Sequence, residues 1–421
     1  MKPDDFSSLE IARFELRLAA RQSAVLPAFL GSTLRGAFGH ALKQAVCVME
    51  HRDCDRCLVA DRCPYPYLFE TPVPSNVPQL TGHSHAPHPF ILLPPPPREL
   101  MAGNAELLNS LPFEPDSHSV SEPSLPGTSL GLHRPASRRG ISASGAAGAG
   151  IPGVNRSSAT IEHRQNLKEK APSSRLCLTS TGPPLNLAAG DHISFGLVLM
   201  GQAIELLPYI VFAVTEMANR GLGVDRARFE LSEVLMIDAA GDESLIYSSG
   251  AERITVGSDA RVSLSELIRH RLDQLGETVS LKRDSLTLRF TTPTRIRVKA
   301  DLQIGLPFEM LVRNLLRRIS MLCAVHGRGA LELDYSGLIK RASSVETISS
   351  RLKWCDWERY SNRQGRKVAM GGFIGEVEYG GEIFDEFLPL MIVGEILSVG
   401  SGTVFGLGRL KCKITTEDGA Y

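Results

Sequence analysis

The 421-residue sequence predicts an α+β protein of two tandem ferredoxin-like (RRM-like) domains, spanning 1–240 and 241–421. Three observations carry that expectation. A strand-helix-strand rhythm with return strands runs through the first half, as in a split βαβ unit. The same rhythm returns between Ser285 and Ile414. The two stretches that break it, a four-cysteine cluster at about 46–66 and a low-complexity run at about 95–175, have the composition of insertions.

In order along the chain, Ile11 to Leu18 reads as a strand, and a proline-containing bend leads to a helix from about Ser32. Leu34, Phe38, Leu42 and Ala45 share one helical face by their spacing, and Gly31-Ser32-Thr33 supplies an N-cap. Pro94-Pro95-Pro96-Pro97 opens a long Ser/Pro/Gly/Ala-rich stretch that includes Ser142 to Gly150. Such composition buries too little apolar surface to offset chain entropy, so a disordered insertion is expected there. Order resumes with a strand at His192–Gly201, a helix at Glu205–Asn219 ended by Gly221-Leu222-Gly223, and a strand at Arg228–Ile237. The second half repeats the theme with a strand at Ser285–Phe290, a helix at Phe308–His326 and a strand at Val368–Tyr379. A helix at Glu382–Ile396 and a last strand at Arg409–Ile414 complete it.

Hydrophobic residues at 43% and charged residues at 22% fit a soluble globular chain. No run of about eighteen apolar residues could span a membrane. Met1-Lys2-Pro3-Asp4-Asp5 lacks the layout of a signal peptide, so a cytoplasmic protein is expected. In that compartment the eight cysteines point to metal rather than disulfides. Formal net charge is zero, yet Arg295 to Met370 holds fifteen Lys/Arg against seven Asp/Glu, a surplus of eight. That asymmetry suggests a local polyanion-binding face.

Five groups of residues carry chemistry. Val399-Gly400-Ser401-Gly402-Thr403-Val404-Phe405-Gly406-Leu407-Gly408-Arg409 forms a loop with little Cβ shielding. It is either a glycine-rich hairpin closing a sheet or a phosphate cradle of successive N–H groups, with Arg409 as charge partner. Cys47-x6-Cys54-x2-Cys57-x5-Cys63 can hold a structural zinc in a tetrahedral shell or, equally, an iron–sulfur cluster. His40 can move a proton near neutrality, and Lys43, one helical turn on, can steady a phosphorane; a packed or capping histidine is the plainer option. His83-x-His85-x2-His88 is expected to be a packed loop entering a strand. Trp354 to Gln364 alternates aromatics with Arg359, Arg363, Arg366 and Lys367, offering stacking faces and phosphate contacts. Gly-x-Ser-x-Gly, His-Glu-x-x-His and clustered carboxylates are all missing. If the chain cuts nucleic acid, a substrate with its own nucleophile fits best, and RNA has one in its 2′-hydroxyl.

Together these stretches resemble the CRISPR precursor-RNA processing endoribonucleases of the RAMP superfamily, of the C-terminal glycine-rich-loop type. The resemblance runs through Leu30 to His40, Cys63-Pro64-Tyr65, His85 to Phe90, Leu207-Pro208-Tyr209 and Phe290 to Arg295. It continues through Trp357-x-Arg359-Tyr360-Ser361-x-Arg363-Gln364 and the glycine loop, covering most of the chain outside 95–175. It implies tandem ferredoxin-like folds and binding of CRISPR repeat RNA. It further implies attack of a ribose 2′-hydroxyl without catalytic metal, leaving a 2′,3′-cyclic phosphate and a 5′-hydroxyl. His40 matches the place of the family's general base or acid, with Lys43 beside it. Arg35, Arg295, Arg359, Arg363, Gly400, Gly402, Gly406, Gly408 and Arg409 are the expected RNA contacts. Many relatives carry a basic or histidine-bearing loop where this chain has Ser398 and Ser401. A non-catalytic RAMP subunit holding guide RNA among other CRISPR effector subunits is the alternative. The chain is expected as a monomer or dimer, away from membranes.

Overall fold

The structure is a computed structural model. It describes residues 1–75, 77, 80, 84–95, 176–177, 184–250, 253–255, 260–276, 283–298, 301–302, 306–361, 365–381, 384–416 and 419–420. The insertion expected over 95–175 lies outside the described residues beyond Pro95. All described residues belong to one compact unit.

The first half contains β1 (Glu10–Ala20), β2 (Ala24–Leu26), α1 (Gly31–Val46), β3 (Phe90–Leu93), β4 (Leu176–Cys177) and β5 (Leu185–Leu187). β6 (His192–Met200), α2 (Leu207–Arg220), β7 (Phe229–Ile237), β8 (Glu243–Ser248) and β9 (Val262–Ser263) complete it. Its sheet has the order β3-β6-β1-β7-β8, with antiparallel neighbours throughout. The four long strands of the βαββαβ unit thus lie second-third-first-fourth, the ferredoxin-like arrangement. Strand β1 alternates because one face is apolar. Phe14 and Leu16 stand opposite Leu197 and Phe195 of β6 and opposite Met236 and Val234 of β7. Helix α1 buries Leu34, Phe38 and Leu42 as its spacing predicts, whereas Ala45 is exposed. Each of those large side chains contributes roughly 1.5–3 kcal/mol of burial. The predicted N-cap is not used: Leu30 caps the helix, and the buried Ser32 hydroxyl has no hydrogen-bond partner among the described residues. Pairing of β8 with β7 and of β9 with β1 carries this sheet past residue 240 to Ser263.

The second half contains α3 (Leu264–Gly276), β10 (Arg283–Thr294), β11 (Arg297–Val298), β12 (Asp301–Leu302), α4 (Phe308–His326) and α5 (Tyr335–Ala342). After these come β13 (Glu346–Asp356), β14 (Glu358–Ser361), β15 (Arg366–Ala369), β16 (Gly372–Gly380), α6 (Leu388–Leu397), β17 (Leu410–Thr416) and β18 (Gly419–Ala420). Its sheet order, β18-β17-β10-β16-β13-β4, repeats second-third-first-fourth in β13, β16, β10 and β17. Helix α4 has the predicted bounds. Helix α6 starts at Leu388, later than Glu382, because Pro389 sits in its first turn after a 3-10 turn at Phe384–Phe387.

The two largest apolar cores among the described residues each borrow from the other half. Ile11, Ile91, Val198 and Met200 join the core built on α4 and β10. Trp357, Met370, Val404, Phe405 and Leu407 join the core of the first sheet. The glycine loop is therefore where the halves interlock. No described helix is long and apolar enough to cross a membrane.

Candidate nucleic-acid interface

The loop between α6 and β17 turns on left-handed residues. Gly400, Gly402, Gly406 and Gly408 have φ of 81°, 87°, 76° and 76°, and Ser398 joins them at 59°. A side chain at Gly400 would stand 2.5 Å from the Arg295 carbonyl, and one at Gly408 would run into the Val399 carbonyl. Glycine here serves backbone packing more than exposure, since Val399, Val404, Phe405 and Leu407 are buried.

The expected cradle of exposed N–H groups is corrected at six positions. The Gly400 N–H donates to the Asn314 side-chain oxygen (3.1 Å), and those of Ser401 and Gly408 donate to the Arg295 and Pro293 carbonyls (3.0 and 3.1 Å). Phe405 and Gly406 donate within the loop, and Arg409 donates to the Thr292 hydroxyl at 3.0 Å. The loop's backbone donors are thus satisfied within the protein, two inside the loop and four on neighbouring elements.

What the loop gathers instead is arginine. Arg318 donates from Nε and Nη2 to the Leu397 carbonyl (3.1 and 2.8 Å), and from Nη2 to the Thr403 hydroxyl (3.0 Å). Arg295, 9% exposed, donates from Nη1 to the Met370 sulfur at 3.1 Å, and its Nε has no partner among the described residues. The guanidinium carbons of Arg35 and Arg359 lie 5.1 and 4.7 Å from the Phe405 ring centroid. Arg409 is turned inward, donating to the Pro94 carbonyl at 3.0 Å, which corrects its expected role as an open charge partner. Burial lowers the pKa of Arg295, Arg359 and Arg409, and pushes that of Arg318 down to about 10. Among the described residues none of these four has a carboxylate partner within ion-pair distance. Enclosing a cation without a counter-charge is costly, and an anionic ligand offsets that cost.

Of the predicted contacts, the loop thus brings together Arg35, Arg295, Arg359, Arg409 and the four glycines, while Arg363 lies outside the described residues. Arg318 was not foreseen. Its signal was a basic pair, Arg317-Arg318, on an otherwise core-forming helix. The count of eight surplus charges overstated the open basic face, because Arg328, Arg341 and Arg351 pair with Glu10, Glu386 and Glu376 from beyond that stretch.

Helix α1 begins against the loop, since Gly31 packs on the Phe405 carbonyl. His40 lies nine residues further, about 13 Å along the axis. It is exposed, with its Nε2 2.8 Å from the Gln44 side-chain nitrogen. Lys43 is directed elsewhere. Its ammonium sits 4.7 Å from the Tyr65 ring centroid and lines a pocket shared with the cysteines.

The other candidates are structural. His85 Nδ1 donates to the Glu70 carbonyl (3.0 Å), and His88 Nδ1 lies 3.2 Å from the Thr71 hydroxyl, the packed loop that was expected. His83 lies outside the described residues. Burial, with Arg35 close by, holds His88 down at about 3. His326 Nε2 donates to the Pro87 carbonyl at 2.7 Å, and burial lowers its pKa to about 4. Trp357 is no stacking platform. It is buried edge-on against Phe29, with ring centroids 4.9 Å apart. The Trp354 indole N–H donates to Asp356 at 2.7 Å, and Lys367 faces Glu358 at 3.7 Å. Cys47, Cys54, Cys57 and Cys63 line one pocket with Lys43 and Tyr65. Among the described residues no three His, Cys, Asp or Glu side chains are arranged as a ligand set.

Comparison with known proteins assigns a family to this geometry. The model of the CRISPR-associated endoribonuclease Cas6 matches residues 288–410, the stretch holding Arg295, Arg318, Arg359 and the loop. An N-terminal domain family, AF_1859_N, matches 9–109 and 162–259. An uncharacterized protein of Archaeoglobus fulgidus is 34% identical over 407 residues, 96% of this chain and 99% of its own length. The chain shares a family with that archaeal protein, and its residues 288–410 belong to the CRISPR-associated endoribonuclease Cas6 family. Similar solved structures include Thermus thermophilus Cas6, at 12% identity over 96% of this chain and 98% of that one, with a TM-score of 0.44. A partial Cas6-RT-Cas1–Cas2 complex is 10% identical over 98% of this chain, with a TM-score of 0.49. The chain spans 47% of that polypeptide and 29% of its counterpart in the Cas6-RT-Cas1–Cas2 complex.

Proposed function

We propose that this chain binds CRISPR repeat RNA at the arginine-rich loop and cleaves precursor crRNA without a catalytic metal. The family supports RNA binding and processing in general. The observation that carries the finer reading is the set of arginines without carboxylates, Arg295, Arg318, Arg359 and Arg409, around residues 397–409. Phosphates seated there relieve the cost of half-buried guanidinium charge, and planar guanidinium forks suit phosphate oxygens. The RNA backbone then runs from the loop along α1 toward His40. There the imidazole takes the proton from a ribose 2′-hydroxyl, or gives one to the departing 5′-oxygen, as that hydroxyl attacks the adjacent phosphate. The products are a 2′,3′-cyclic phosphate and a 5′-hydroxyl. Cytoplasmic action on newly made transcripts fits the same reading.

The test is incubation of the full chain with repeat RNA in EDTA, beside RNA carrying a single 2′-deoxy residue at the cut. A discrete cut in EDTA that the deoxy residue abolishes supports the proposal. RNA that is bound and never cut assigns the chain to the non-catalytic guide-RNA subunits instead.

A further inference from the structure

From Cys47, which caps the C-terminal end of α1, to Cys63, seventeen residues leave the fold and return. None of them is buried, and the apolar side chains face water: Val48 is 83% and Leu58 93% exposed. An excursion with no apolar core lacks the usual means of holding its shape. All four cysteines nevertheless line a single pocket, together with Lys43, Arg52, Asp53 and Tyr65. A tight turn, in which the Cys57 N–H donates to the Cys54 carbonyl at 3.3 Å, puts two of the thiols on one bend. The thiols of Cys323, Cys355 and Cys412 behave differently: they are buried among core side chains, as small hydrophobes are.

We propose that Cys47, Cys54, Cys57 and Cys63 bind one thiophilic divalent cation of the Zn²⁺ type, as a structural tetrathiolate site that ties residues 47–63 to the end of α1. Four sulfur ligands of a borderline-soft ion leave no open position, so the role is to hold the loop. Four thiolates around a divalent ion leave two negative charges, and the Lys43 ammonium and Arg52 line the pocket on which they would bear. Binding converts four thiols into ligands, releases their protons and gives them the common centre that the side chains alone do not form. This site does not depend on the RNA assignment, because neither the arginines nor His40 belongs to it.

The experiment is metal analysis of the purified full chain, followed by Co²⁺ titration after removal of metal with a chelator. About one zinc per chain is expected, and one equivalent of Co²⁺ should give thiolate charge-transfer and tetrahedral ligand-field bands. Cys57→Ser should weaken Co²⁺ binding by more than the roughly 10–100-fold that losing an outer-shell partner costs. The spectrum of the wild-type chain decides even if that variant does not fold. Four thiols that titrate freely without taking up Co²⁺ would overturn the proposal. A pair of disulfides, or a coloured protein with iron and inorganic sulfide, would overturn it equally.

Discussion

His40 is exposed on α1, and among the described residues its ring is held by a hydrogen bond to Gln44, so it can meet a substrate without breaking a buried network. His40→Ala is predicted to slow single-turnover cleavage of repeat RNA by about 10²–10⁴-fold while leaving RNA affinity unchanged. Full cleavage by that variant would remove His40 from the mechanism. His326 is the opposite kind of histidine: buried, neutral and spent on the Pro87 carbonyl. Its folded pKa of about 4 lies below the value near 6.5 of an unfolded imidazole. The unfolded chain therefore binds the proton first as acid is added. The stability is intact above about pH 6.5 and is lost as pH falls toward 4, by at most about 1.4 kcal/mol per pH unit for this ring. Melting curves between neutral and acid pH should show a midpoint that falls, and His326→Gln should flatten that limb; an unaltered slope would contradict the assignment. Sequence singled out His40 as a proton carrier from residue type and spacing and gave His326 only as the end of a helix. It could not show that Lys43 leans on Tyr65 or that Arg318 closes on the loop, because both are tertiary contacts.

At the scale of elements, helices and central strands were legible because their apolar periodicity is strong, and helix α4 was bounded to the residue. Strand β13 was not, and its burial explains why: Glu346 to Lys353 is largely exposed on both faces, so no alternation marks it, and backbone pairing with β16 holds it in place. The glycine loop was legible in conformation but not in use. Positive φ was read correctly, while the cradle of N–H groups gave way to a loop pinned to residues 292–295 and Asn314 and ringed by arginine. Gly408→Ala tests that description. Its φ of 76° and the Val399 carbonyl behind it should make the change cost roughly 1–3 kcal/mol, lowering the Tm by several degrees. An unchanged Tm would show that the loop tolerates a side chain there.

For the whole molecule, the tandem arrangement was legible because one rhythm occurs twice. The interlock between the halves was not, since it depends on which face each strand gives away. Ile11 and Val198 leave the first sheet's core for the second, and Phe405 crosses the other way. Phe405 thereby places Arg35 of α1 and Arg359 of β14 on one ring, so both halves contribute to one positive site. Salt dependence of RNA binding probes that shared site. The affinity of the full chain for repeat RNA, measured over a series of salt concentrations, is compared with that of Arg359→Ala. The variant should bind more weakly, with a log–log slope shallower by about one counterion. Equal affinity and equal slope in the variant would contradict an RNA backbone seated on the arginine loop.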